Sequence, residues 1–110
     1  MNRDEMFLRH ILDQISFLRE QFLGVGPENL MEDPLLQKTC LRSFEVMGES
    51  INSVSEDFKD NHSDIDWNKI MGLMEKYINI DNGVQWDLMW NFIKTGLPEV
   101  EQEIEKDLNK

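Results

Sequence analysis

Arg42, Glu45, Glu49 and Asn52 follow one another at steps of three, four and three, which sets a guanidinium, two carboxylates and an amide along one helix face. Such a row is either a solvated face with weak Arg–Glu pairing or the floor or rim of a cleft. Further along, Lys76 is a point charge with no proton acceptor beside it. Together with Glu75 and Asp81 it leaves the segment from 72 to 83 at a net charge of −1, which does not attract phosphate. His62, Asp64 and Asp66 have the residue types of a metal cluster, but no other ligand converges on them in sequence. Asp66 therefore reads as a helix cap and His62 as a loop residue. His10 has Asp13 and Gln14 within a turn and needs no role beyond the surface. Cys40, the single cysteine, falls on an apolar helical stripe and reads as an inert packed thiol. There is no glycine-rich phosphate loop, no Ser–His–acid set and no Cys–His metal spacing, so neither a metal nor a cofactor is expected.

The elements that must position these groups are helical. Phe7, Ile11, Ile15, Leu18 and Phe22 recur at steps of three and four and predict a first helix over residues 4–23. The run Gly24, Val25, Gly26, Pro27 breaks it. A second helix starts at Asp33-Pro34, an acidic cap before a proline at the first turn, and Leu36, Cys40, Phe44, Met47, Ile51, Val54 and Phe58 carry its apolar stripe for about six turns. Asn61, His62, Ser63 and Asp64 form a connection, and Asp66 caps a third helix from Trp67 to about Ile78. Asp81-Asn82-Gly83 is turn chemistry. A fourth helix spans Val84 to Thr95 and is ended by Gly96, and Pro98 opens a fifth with Val100, Ile104 and Leu108 on one face. No stretch alternates at period two long enough for a strand, and there is no internal repeat. The expected architecture is all-α, an antiparallel up-and-down bundle of four to five helices in one domain covering 1–110.

Bulk properties narrow the function. A chain of 110 residues holds one core and hides roughly two thirds of its unfolded surface. The apolar runs are too short to span a membrane, the first ten residues do not look like a secretory signal, and the single cysteine fits a reducing cytosol. A cytoplasmic protein is expected. The net charge of −11 repels phosphate on average, and Lys and Arg are scattered with no block of three. That balance disfavours RNA or DNA and favours a protein partner or a basic surface. The density of Met71, Met74 and Met89 beside Trp86 and Trp90 suits either a helix core or an adaptable apolar interface.

Two sequence blocks go further. Trp67, Ile70, Gly72, Gly83, Trp90, Ile93, Leu97 and Pro98 stand in one ungapped frame, and upstream Gln37 is followed by Arg42, Phe44, Glu45, Val46, Met47, Gly48 and Glu49. In this order and separation they resemble the HepT-like group of HEPN proteins, helical ribonuclease toxins of type VII toxin–antitoxin pairs. The resemblance implies a helical bundle whose two copies face each other across a cleft, and metal-independent RNA cleavage by a histidine base and a phosphate-stabilising arginine. It also implies a tyrosine that a nucleotidyltransferase antitoxin modifies. Where the family has Arg, His and Tyr, this chain has Met74, Asn79 and Asp81. Asn79 takes up no proton near neutral pH, Met74 carries no charge and Asp81 has no hydroxyl to modify. Tyr77, a turn earlier, reads as packing or rim.

The expectation is therefore a dimeric binding protein with a degenerate catalytic motif, paired with a nucleotidyltransferase-type antitoxin. The alternative is an active ribonuclease with a rearranged cleft that uses Arg42, Glu49, Lys76 and Asn79, with Glu45 at its edge. A third reading, a cleft that holds a nucleotide or other small ligand, has no residue pattern in its favour.

Overall fold

In a computed structural model, which describes residues 2–78 and 85–109, every regular element is helical. Helix α1 (Arg3–Gln21) begins where the Asn2 side chain accepts the Glu5 N–H at 2.8 Å, and it buries Leu8, Ile11, Ile15 and Leu18. It ends at Phe22, and Gly24 turns the chain with φ 71°, a conformation that favours glycine. The break over residues 24–27 is as expected, but the chain then forms an unforeseen short helix, α2 (Pro27–Glu32). The Asn29 side chain accepts from the Gly26 N–H and Pro27 occupies the first turn, so the local signal is ordinary cap chemistry on a segment too short for periodicity to reveal.

Helix α3 (Pro34–Ser53) is capped by Asp33, whose carboxylate accepts from the N–H groups of Leu35 and Leu36 at 3.1 Å. It stops a turn and a half before the expected Phe58. Val54 is extended, and Ser55 starts a separate helix, α4 (Glu56–Asn61), by accepting the Phe58 N–H. Asp4 at the start of α1 holds that break, accepting from both the N–H (2.7 Å) and the hydroxyl (2.9 Å) of Ser55. The apolar stripe runs on through Val54 and Phe58, which is why periodicity alone reads one helix here. Helix α5 (Trp67–Ile78) has the expected bounds, and Asp66 caps it by accepting from Lys69 N–H at 3.1 Å.

The last third of the chain departs most from expectation. Helix α6 (Trp86–Asn91) leads through a π-turn (Phe92–Gly96) straight into α7 (Leu97–Leu108), with helical angles throughout. Gly96 therefore ends nothing, and Pro98 opens no new rod. The turn is widened so that Leu97 N–H reaches back to Phe92 O, which accommodates a proline that lacks an N–H and would crowd the carbonyls of a regular turn. The expected turn at Asp81-Asn82-Gly83 and a helix start at Val84 lie outside the described residues.

The result is an all-α up-and-down bundle of four rods, α1, α3, α5 and the continuous α6–π–α7, with α2 and α4 as short links. Helix α3 packs against α1 on one flank and α5 on the other, and α1 also packs against α7. The bundle measures 42 × 29 × 19 Å along its principal axes, with α3 exposed between the α1 groove and the α5 cleft. Phe44 and Phe92 meet at 5.9 Å between ring centroids in a core that includes Met47, Ile51, Met74 and Met89. Lys94 donates to Phe22 O at 2.5 Å and Trp90 Nε1 to Val25 O at 2.8 Å, which fixes the α1–α2 link on the π-turn rod.

Gly96 is needed for a packing reason. A Cβ there would lie 2.2 Å from Cδ1 of the buried Phe92 ring. Gly96→Ala is expected to displace that ring and lower unfolding free energy by about 1–2 kcal/mol, read as a shift in the urea midpoint.

Candidate functional site

Helix α3 carries the polar row predicted from sequence, and the fold divides it between two grooves. On the α5 side, Glu45, Gly48, Glu49 and Asn52 face Met71 and Glu75 across a cleft of about 330 Å³. On the α1 side, Lys38, Thr39, Arg42 and Ser43 face Gln14 and Phe17 across a groove of about 500 Å³. Arg42 thus belongs to the α1 groove, though its Nη1 lies 3.3 Å from Glu45 Oε2 at the boundary between the two. That pair is exposed, with Arg42 at 69%, and contributes little to stability.

The remaining candidates do not all join this site. Met74, the position the resemblance aligns with arginine, is 0% exposed and belongs to the core. Lys76 is exposed near the C-terminal end of α5 but does not line the cleft. Asn79, Asp81 and the side chain of Tyr77 lie outside the described residues. Of the dense Met and Trp group, Met74 and Met89 are core, whereas half-buried Met71 reaches the cleft.

Electrostatically the two grooves are opposites. Among the described residues, Glu45, Glu49 and Glu75 line the α5 cleft with no cation, and Lys38 and Arg42 line the α1 groove with no carboxylate. In the α1 groove, Ser43 donates to Gln14 Oε1 at 2.8 Å, which turns the amide's donor end away from Ser43. Neither groove is lined by a histidine. His10 lies on α1 with Phe7 at its ring edge, and His62 caps the end of α4. The acidic cleft suits a cationic group and opposes a phosphate. Lys38 and Phe17 were not singled out from sequence. Lys38 extends the polar row one turn toward the N-terminus, and Phe17 lies off the apolar stripe of α1, so both signals were present.

His62 is more than a loop residue. It stacks on Phe58 at 3.9 Å and its Nδ1 pairs with the buried carboxylate of Asp107 on α7. Among the described residues no group of three or more His, Cys, Asp or Glu side chains could hold a metal ion. No described helix is long and apolar enough to cross a membrane.

Cys40 is fully buried, and burial pushes its thiol from the ordinary 9.0 up to about 12. Between those values the unfolded chain gives up the thiol proton while the folded chain keeps it. The contribution of Cys40 to stability therefore falls as pH rises above 9. Iodoacetamide at pH 8 is expected to leave Cys40 unmodified in the folded protein and to alkylate it fully in denaturant, as mass spectrometry would register.

Four helical rods around one core, with a polar interhelix cleft on the central helix, define a small α-helical bundle protein of the HEPN kind. The family model for ribonuclease HepT-like proteins matches residues 11–106, and the chain belongs to that family. It is 32% identical over 110 residues to a candidate RNase of Caldanaerobacter subterraneus, covering 100% of this chain and 98% of that one. It is 26% identical over 100 residues to a protein of Thermococcus cleftensis named as a HepT ribonuclease, covering 91% of each. A Methanocaldococcus jannaschii protein named both γ-glutamylcyclotransferase and candidate RNase shares 26% identity over 107 residues, 96% of this chain but 48% of its own length. No solved structure matches the chain significantly.

Proposed function

We propose that this chain is a catalytically silent HepT-like protein that acts as a homodimeric binding partner of a nucleotidyltransferase-type antitoxin in the cytoplasm. The observation that carries this reading is the α5 cleft, which three carboxylates line without a histidine. A ribonuclease of this kind needs a proton acceptor and a cation beside the scissile phosphate. Asn79 and Asp81 stand where the resemblance puts the histidine and tyrosine, and Met74 is buried where it puts the arginine. Loss of a general base alone costs a factor of roughly 10²–10⁴ in rate.

The test is cleavage of mixed single-stranded and structured RNA by the purified protein in EDTA, together with affinity capture of the tagged protein from its native host. The expected result is no cleavage above the buffer control and recovery of a second protein beside the chain itself. The names of the relatives favour one competing reading, an active RNA endonuclease that uses Arg42, Glu49, Lys76 and Asn79. Cleavage that Lys76→Ala with Asn79→Ala abolishes would establish that reading and sink the one proposed.

A further inference from the structure

Lys38, Arg42, Glu45 and Glu49 occupy a single strip of α3. Their steps of four, three and four keep all four side chains within an arc of about 60°, along about 16 Å of helix. All four are exposed. The first two are cations and the last two carboxylates, so the strip is positive toward the N-terminus of α3 and negative toward its C-terminus. Lys38 lies as far before the level of Ser43 and Phe44 as Glu49 lies after it, and the same holds for Arg42 and Glu45.

A strip with that symmetry is complementary to itself. A two-fold axis lying in the plane of contact, across α3 at the level of Ser43–Phe44, lays α3 antiparallel on α3 of a second copy. Lys38 then meets the second copy's Glu49 and Arg42 its Glu45, and the symmetry repeats both pairs. The same rotation keeps each flank on its own side, so the α1 groove lies on the second copy's α1 side and the α5 cleft on its α5 side.

We infer that a second copy of this chain docks on the α1–α3–α5 face in that antiparallel register, fixed by the Lys38–Glu49 and Arg42–Glu45 pairs between copies. This rests on the dimeric reading above and adds to it which surface is used and in what alignment. Lys38 and Glu49 make no ion pair within the chain among the described residues. The internal Arg42–Glu45 contact is exposed and weak, so trading it for the second copy's carboxylate costs little. Charge complementarity of this kind sets register and excludes wrong alignments.

The experiment uses two charge-reversed forms of the full chain. One carries Lys38→Glu with Arg42→Glu, the other Glu45→Lys with Glu49→Lys. Native mass is measured by sedimentation across concentrations, with thermal melts to verify folding, which exposed positions tolerate. The wild type is expected at twice its 13.0 kDa. Each variant alone is expected to self-associate roughly a hundredfold more weakly, since like charges then oppose each other, and an equimolar mixture is expected to form a heterodimer. The second variant is the sharper one. It moves the net charge from −11 toward −7, which on general repulsion would strengthen self-association, whereas the register predicts weakening. A wild type that stays monomeric at every concentration overturns the dimeric reading and this inference together. A dimeric wild type whose variants dimerise equally well, or whose variants are monomeric alone and also in the mixture, overturns the register and leaves the dimer standing.

Discussion

Met74→Arg is expected to lower the unfolding free energy by about 3–5 kcal/mol, the cost of an ion buried without a partner. The side chain is 0% exposed, in a core shared with Ile70, Met47 and Ile51. A guanidinium there would have to give up its water, and the apolar core around it supplies no compensating carboxylate. A domain of this size is stable by only about 5–15 kcal/mol, so the change removes a large part of the total. Met74→Leu conserves volume and polarity and should cost less than about 1.5 kcal/mol. Urea unfolding of the three forms reads both values from the midpoints at constant slope. A midpoint for Met74→Arg within error of the wild type would mean that the side chain reaches solvent and that α5 sits differently in solution. The result also bears on attempts to restore ribonuclease chemistry. Returning an arginine to this position attacks the core before it can serve a cleft, so restoration must begin at Asn79 and Asp81.

What could be read from sequence depended on how many turns each signal spans. The apolar stripe of α1 repeats over about four turns, and four of its five expected positions, Ile11, Ile15, Leu18 and Phe22, are buried as read. The start of α3 at Asp33-Pro34 and of α5 at Asp66 followed from cap chemistry that acts within three residues. The break at Val54–Ser55 was hidden because its cause is Asp4, fifty-one residues away in sequence. The Gly96-Leu97-Pro98 run has the composition of a helix end, yet Leu97, Val100 and Ile104 continue the buried face of the same rod, and packing carried the helix through by widening one turn. At the candidate site, periodicity put Arg42, Glu45, Glu49 and Asn52 on one face. It could not reveal that α1 and α5 would divide that face into a basic and an acidic groove, because that division depends on which helix lies on each flank.

His62 provides the second large effect. Its ring stacks on Phe58 with planes 14° apart, and its Nδ1 pairs with the carboxylate of Asp107, whose side chain is 2% exposed. Trp67 Nε1 donates to His62 O at 3.1 Å, so the end of α4, the start of α5 and the last turn of α7 meet at this residue. The signal for it lay in α7, where Asp107 falls three residues after Ile104 and seven after Val100 on the buried face. His62→Phe keeps the aromatic stack but takes away the imidazole nitrogen that meets the carboxylate. Because the imidazole is 30% exposed, the expected loss is about 2–3 kcal/mol, below that of a fully enclosed pair. Adding Asp107→Leu should return most of it, since an apolar pair of similar volume needs no partner for a buried charge. If the double variant is instead no more stable than His62→Phe, the loss arises from the ring's packing and not from the carboxylate, and the junction is held by Phe58 and Trp67 alone. A recovered midpoint would place the tie between α4 and α7 in the contact of the imidazole with the Asp107 carboxylate.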